Sequence, residues 1–344
     1  MAVASFGGKH LEWEPDFTKR RDHIFRNMIF GTSITEMTGH ISRRSLYCSR
    51  DASSSVSVVE FDSEAGNVPF VPAKHIFGKK GDATHCSLCG GPRELERGEG
   101  RENHAYAFVH GAYPTKELTA MKFDVIVGNP PYQIDSDGNT RTKPIYHHFV
   151  QQAIAMKPRY VLMITPSRWF TGGLGLDQYR ESMINDRHMA KLVDNPKLFD
   201  CFPGVEIKGG VSYFLWDRSH NGDCEFSTRI EGTITSTLTR DLRHGKGVIV
   251  RSNKAEAIIT KVEVKGEVSI AKRFSSQKPF GFLSNFKDFH AAPQKESVRL
   301  YKRGREPIWV RPDQSRPYAV PLQSPRTNRA GRCSPALSER TTRG

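Results

Sequence analysis

The chain has 344 residues, enough for a full hydrophobic core and one or two domains, yet only 37% are hydrophobic, so part of it is expected to stay unpacked. No run approaches the length of apolar sequence that a membrane-spanning helix needs, and the amino terminus is charged too early for a signal peptide. Six cysteines, scattered apart from one close pair, point to a reducing, cytoplasmic protein with no disulfide scaffold. The net charge of +14 is uneven: residues 121–217 carry 11 basic and 10 acidic side chains, whereas 218–313 carry 19 and 11. A neutral block followed by a basic one suits a partner rich in phosphate, with a generic solvated basic surface as the competing reading.

Residues 1–27 show no clear periodicity and are expected to be irregular. From Asn27 the pattern predicts a short strand, Met28–Phe30, a turn at Gly31, and a helix from about Thr35 to Tyr47. In nucleotide-binding sheets an acid near the end of the second strand commonly holds ribose hydroxyls. Thr32 or Ser33 stands at that point here, and the first carboxylate is Glu36, a candidate for cofactor binding or for a helix-dipole partner. Residues 49–118 are too long and too polar for an ordinary connection and read as an insert. Within it, Cys86-Ser87-Leu88-Cys89-Gly90-Gly91 has the spacing of a zinc knuckle, where two thiolates face one tetrahedral ion. Cys48, His75, His85 and His104 are the candidates to complete it, with Cys48 and His75 preferred; free thiols in a turn are the alternative.

The stretch with the strongest chemical content is Met121–Gln133, MKFDVIVGNPPYQ. Phe123 and Val125–Val127 predict a strand buried on both faces, as in a parallel sheet. Pro130 and Pro131 can continue neither a ladder nor a helix, so the strand must end in a stiff loop with Asn129 and Tyr132 at its two ends. Open α/β sheets bind ligands at the carboxyl ends of such strands. An exocyclic amino group on a base is a poor nucleophile because its lone pair is delocalised. The Asn129 side-chain oxygen and a backbone carbonyl of the proline pair could each accept one amino hydrogen, favouring the group as it becomes tetrahedral and positive. The Tyr132 ring offers a flat face to a base taken out of its stack.

Further along, Asp135–Lys143 reads as a solvated turn and Pro144–Met156 as a helix with Ile145, Phe149, Ala153 and Met156 on one face. Tyr160–Thr165 reads as a second buried strand and Thr171–Gly175 as a mobile glycine-rich loop. A helix over Asp177–Asp186, a segment Met189–Val193, a loop Asn195–Gly210 and a strand Val211–Asp217 follow. Residues 218–313 mix short strands, such as Gly247–Arg251, with basic segments. The arginine- and proline-rich residues 314–344 are expected to be disordered.

This order of strand and helix, long insert, FDVIVGNPPYQ, helix, YVLMITPSRWF, glycine loop and GGVSYFLWD resembles the gamma-class N6-adenine DNA methyltransferases, in particular the methylase part of bifunctional restriction–modification proteins. The resemblance implies an α/β, Rossmann-like S-adenosylmethionine-dependent methyltransferase sheet acting on double-stranded DNA, with a restriction or helicase partner. It gives Asn129, Pro130 and Pro131 the amino-group loop, makes Tyr132 and Trp216 the two walls around a flipped adenine, and makes Asp124 either structural or cofactor-adjacent. It also implies a domain division: an irregular 1–27, a catalytic domain over 28–217 containing the insert, a partial target-recognition region over 218–313, and a tail. One feature departs from the family. The glycine-rich cofactor turn should precede Met28, but residues 1–27 contain no such turn, and Phe6-Gly7-Gly8 lies too near the terminus to follow a strand. The first strand is therefore expected to be missing, as in a truncated or frame-shifted product; adenine-N6 methyl transfer to DNA is the leading expectation, and a catalytically inactive DNA-binding remnant of such an enzyme is the alternative.

Overall fold

A computed structural model describes residues 2–4, 14, 16–72, 75–78, 84–91, 93, 106–113, 116, 122–134, 143–197, 200–202, 204–205, 207–245, 247–266, 289–295, 297–300 and 308–310. The expected turn over 135–143 lies almost entirely outside these residues, as do His104 and the tail. The chain divides into two compact units, Met1–Lys261 and Val262–Gly344.

The first unit is built on one mixed sheet. Its amino-terminal strands are β1 (Ala2–Ala4), β2 (Ile29–Gly31) and β3 (Val125–Gly128), and its later ones are β6 (Tyr160–Pro166), β7 (Met189–Asn195), β8 (Val211–Asp217), β9 (Cys224–Ile230) and β10 (Thr233–Arg240). A separate two-residue ribbon pairs β4 (Gln133–Ile134) with β5 (Lys143–Pro144). Across the sheet the order is β10-β9-β7-β8-β6-β3-β1-β2. The β3–β6 and β7–β9 pairs are parallel; the others are antiparallel. The helices of this unit are α1 (Phe17–Asn27), α2 (Glu36–Tyr47), α3 (Tyr146–Ala155) and α4 (Asp177–Asn185), with α5 (Asn253–Val264) at its boundary. The segment β3-α3-β6 is thus the crossover that a parallel pair requires.

Local signals explain most element ends. Helix α2 starts at an N-cap Thr35 whose hydroxyl accepts from the Thr38 amide, while the Thr38 hydroxyl returns the contact to Thr35, a capping box. It stops at Cys48, which takes a left-handed φ of 60°. On α3, Phe149, Val150 and Ala153 are buried, as the one-sided spacing predicts.

The core gathers on one face of the sheet. Ile126, Val161, Met163, Leu192, Phe214 and Phe226 join Phe149 and Ala153 of α3, Tyr179 and Met183 of α4, and Cys86, Tyr106 and Phe108 of the insert in one cluster. Each such side chain contributes about 1.5–3 kcal/mol by leaving water.

Four expectations need correction. The strand before the Asn129 loop is not buried on both faces: Ile126 is fully buried but Val127 is 45% exposed, and its partner Leu162 on β6 is 40% exposed. The α3 and α4 residues lie in the core on the Ile126 side, and a continuous apolar run does not reveal that only one face is covered. Residues 1–27 are not irregular throughout, since α1 forms behind an N-cap Asp16 whose side chain accepts from the Lys19 amide. A short strand, β1, does precede Phe6, although Gly7 and Gly8 lie outside the described residues. It runs antiparallel between β3 and β2. Finally, the chain does not divide after Asp217: β9 and β10 extend the same sheet beyond β7, and Gly247–Arg251 is not a strand.

In the second unit, β11 (Val298–Leu300) pairs antiparallel with β12 (Ile308–Val310), and His290 bridges to Trp309. No helix among the described residues is long and apolar enough to cross a membrane.

Candidate active site

A cavity of about 900 Å³ opens at the carboxyl ends of β2, β3 and β6. One wall is Asn129 to Gln133 after β3, with Pro166 at the end of β6, Arg168 beyond it, and Phe202, Val205, Ile207 and Lys208 from the loop before β8. Asn129 is exposed at the cavity edge, while Pro130 behind it is buried. The loop is fixed to α3 by the Ile145 amide, which donates to the Tyr132 carbonyl at 3.1 Å. Two prolines and this contact leave the Asn129 backbone little freedom, so its side-chain oxygen is offered at a defined place.

Tyr132 packs against the core and faces Phe202, ring centroid to ring centroid 6.4 Å at 64°. Burial, and secondarily Cys201 nearby, raises the Tyr132 phenol well above its ordinary value. Tyr146 is shifted upward in the same way, mainly by burial. Both hydroxyls are therefore neutral, and that of Tyr132 has no hydrogen-bond partner among the described residues. The Tyr132, Tyr146 and Phe202 part of this wall is aromatic and uncharged, suited to a planar heterocycle.

Phe202 is the aromatic that sequence reasoning missed. It lines the cavity and meets Tyr132, and the only local hint was an aromatic beside Pro203 in a loop ending in Gly209-Gly210. Trp216 is excluded from the cavity lining. It is 4% exposed, and its indole nitrogen donates to Asp186 Oδ2 at 2.8 Å. Because β8 runs antiparallel to β6, Trp216 lies beside Val161, at the end of the sheet away from the Asn129 loop.

The loop bearing Phe202 is closed by a tight joint. Gly210 has φ +76°, and a Cβ there would meet the Asn195 carbonyl oxygen at 2.0 Å, so no other residue fits. The Ser167 amide donates to the Gly210 carbonyl at 3.0 Å, and the Ser167 hydroxyl donates to Asp194 Oδ1 at 2.8 Å. Asp194 is fully buried and receives two 2.7 Å contacts from the Arg251 guanidinium, the fork geometry that makes such pairs strong. At the rim, Arg168 and Lys208 are exposed cations that sequence reasoning did not single out.

The opposite wall comes from the end of β2 and the first turns of α2: Thr32, Ser33, Ile34, Thr38 and Ser42. The Ser33 hydroxyl is buried without a partner among the described residues. Neither expected cofactor carboxylate is here. Glu36 is 74% exposed and lies 3.9 Å from His40 Nε2, on the solvent side of α2. Asp124 precedes β3, about 17 Å of extended chain from Asn129, and its carbonyl accepts from the Tyr160 amide. Among the described lining residues there is no carboxylate to take ribose hydroxyls and no glycine turn to take an amino-acid tail. The described wall therefore does not complete a site for S-adenosylmethionine.

In the insert, the structure brings together His75, Cys86 and Cys89 but not Cys48, which caps α2 and is exposed. His110 occupies the fourth position instead. His85 contacts the Thr84 hydroxyl at 2.8 Å and is not part of the group.

A family model for the Eco57I restriction-modification methylases matches residues 27–202. An uncharacterized adenine-specific methylase of Mycoplasma pneumoniae is 31% identical over 270 residues, covering 72% of this chain and 64% of that protein. The chain thus spans somewhat less than two thirds of the length of that relative. Among solved structures, a DrdV–DNA complex matches at 12% identity over 76% of this chain and 27% of that one, with a TM-score of 0.41. A type I restriction-modification methyltransferase subunit from Streptococcus thermophilus matches at 12% identity over 48% and 36%, with a TM-score of 0.30.

Proposed function

This chain belongs to the Eco57I restriction-modification methylase family, and we propose that it methylates N6 of adenine in double-stranded DNA with S-adenosylmethionine as the donor. The observation that carries the reading is the Asn129-Pro130-Pro131-Tyr132 loop at the carboxyl end of β3, edging a cavity of about 900 Å³ that Phe202 also lines. The donor supplies an electrophilic methyl group; the described residues account for the acceptor. Adenine leaves the duplex stack, and its ring sits between Tyr132 and Phe202. Asn129 Oδ1 and the Pro130 carbonyl accept the two amino hydrogens, concentrating the lone pair on nitrogen and stabilising the positive charge that develops there. An amide oxygen is too weak a base to keep the proton, so it leaves to water after transfer. Arg168 and Lys208 at the rim, and the basic residues after Asp217, contact phosphate.

The test is transfer of labelled methyl groups from S-adenosylmethionine to duplex DNA, with digestion to locate the label on adenine N6. Label on adenine that is lost with Asn129→Ala supports the reading. Absence of transfer together with absence of donor binding in calorimetry rejects it for this chain.

A second reading is DNA binding without transfer, motivated by the absence of a carboxylate among the described lining residues. It expects DNA affinity that falls steeply with salt while the donor produces no heat of binding.

A further inference from the structure

Outside the cavity, the densest cluster of metal-binding side chains is in the insert, and it does not take part in the proposed acceptor chemistry. His75, Cys86, Cys89 and His110 each turn one donor atom inward, and these four atoms lie within 4.8 Å of one another. Cys89 Sγ is 3.2 Å from His75 Nδ1, and Cys86 Sγ is 3.8 Å from His110 Nε2. Zinc bonds of ~2.0–2.3 Å to nitrogen and sulfur give a tetrahedron with edges of roughly 3.3–3.8 Å. The first separation lies just below that range and the second at its upper end.

The backbone around the sulfurs supports the same conclusion independently. The Cys86 amide donates to the Gly91 carbonyl at 2.7 Å and the Gly90 amide to the Cys86 carbonyl at 2.9 Å, a tight knuckle made possible by Gly90 at φ +70°. The Ile76 amide then points at Cys86 Sγ at 3.3 Å, and the Gly91 amide at Cys89 Sγ at 3.4 Å. Backbone amides directed at both sulfurs are the kind of outer contact that orients metal-ligating side chains. The geometry points to a structural Cys2His2 zinc site in which His110, not Cys48, is the fourth ligand.

The site has a definite mechanical consequence. His110 ends the short turn Tyr106–His110, whose Phe108 stacks on Phe149 of α3 at 6.2 Å and 9°, while Tyr106 meets the same ring edge-on. Phe108 also lines the cavity. A zinc ion would therefore tie three separate stretches of the insert to the helix that anchors the Asn129 loop.

Metal analysis of the full-length protein, purified without chelator, tests this. About one zinc per chain is expected, falling to under a tenth in Cys89→Ser and His110→Ala and unchanged in Cys48→Ser. If the ligand variants fail to fold, cobalt replacement in the unmodified chain gives a second reading. Tetrahedral d–d bands with sulfur-to-cobalt charge transfer support the site. Zinc below a tenth of an equivalent, octahedral cobalt without charge transfer, or loss of metal in Cys48→Ser while His110→Ala retains it would overturn the assignment.

Discussion

The two walls of the cavity differ in kind. The wall after β3 and before β8 is aromatic and stiff, with Asn129 presented by a pair of prolines and Phe202 delivered by a loop locked at Gly210. The wall after β2 offers hydroxyls, one of them buried and unpartnered, and its nearest carboxylate, Glu36, faces solvent. Binding a planar amine needs few groups close together in sequence. Binding a large charged donor needs groups gathered from several strands, so the first can be present where the second is incomplete.

The largest expected effect separates true walls from buried aromatics. Trp216→Ala should cost about 3–5 kcal/mol of stability, because it opens a large cavity in the core and strands Asp186 without its indole donor. Urea titration would measure it. An unchanged midpoint with loss of DNA binding would return Trp216 to the base site.

The next comparison sets the two walls against each other in one assay. Asn129→Ala should lower methyl transfer by about 10²-fold or more, the scale for removing one preorganised polar group from a reacting centre. Its unfolding midpoint should hold, since the side chain is exposed. Glu36→Ala should change transfer by less than about twofold, because the carboxylate only faces His40 at the surface. A large loss in Glu36→Ala would mean that α2 turns to bring the acid inward when the donor binds.

Phe202→Ala should have a smaller effect than Asn129→Ala. Loss of one stacking face costs about 1–3 kcal/mol per base, seen as roughly tenfold to hundredfold weaker binding to DNA with an unpaired target adenine. The half-buried ring leaves stability little changed. If Tyr132→Ala weakens binding and Phe202→Ala does not, the base uses a single face.

What could be read in the sequence follows the same division. The Asn129 loop was legible because its chemistry is local: an apolar run, a glycine, and prolines that force the strand to end. Helix α2 was legible for a similar reason, with Thr35 and Thr38 forming its cap within four residues. Phe202 and His110 were not, because each acquires its role from contacts across the fold: Phe202 with Tyr132, and His110 with Cys86, 24 residues earlier. Trp216 was misplaced because the end of an antiparallel strand lies at the opposite edge of the sheet from the end of its parallel neighbours, and strand direction is not written in an apolar run. Exposure of Val127 and Leu162 escaped notice on the same ground, since hydrophobicity does not say which face receives a helix.

The smallest expected effect bears most directly on the weaker wall. Ser33 buries a hydroxyl without a partner among the described residues, so Ser33→Ala should leave the unfolding midpoint unchanged or raise it slightly. If a donor molecule uses this wall, the same substitution removes one of its hydrogen bonds and weakens donor affinity by roughly fivefold, about 1 kcal/mol. Thermal unfolding with and without S-adenosylmethionine reads both effects on one sample. A donor-dependent shift that shrinks in Ser33→Ala would show that the hydroxyl wall serves the cofactor despite the outward turn of Glu36. A shift of equal size in both proteins would place the donor elsewhere, and no shift in either would leave this wall a structural surface of α2 and the cavity an acceptor site alone.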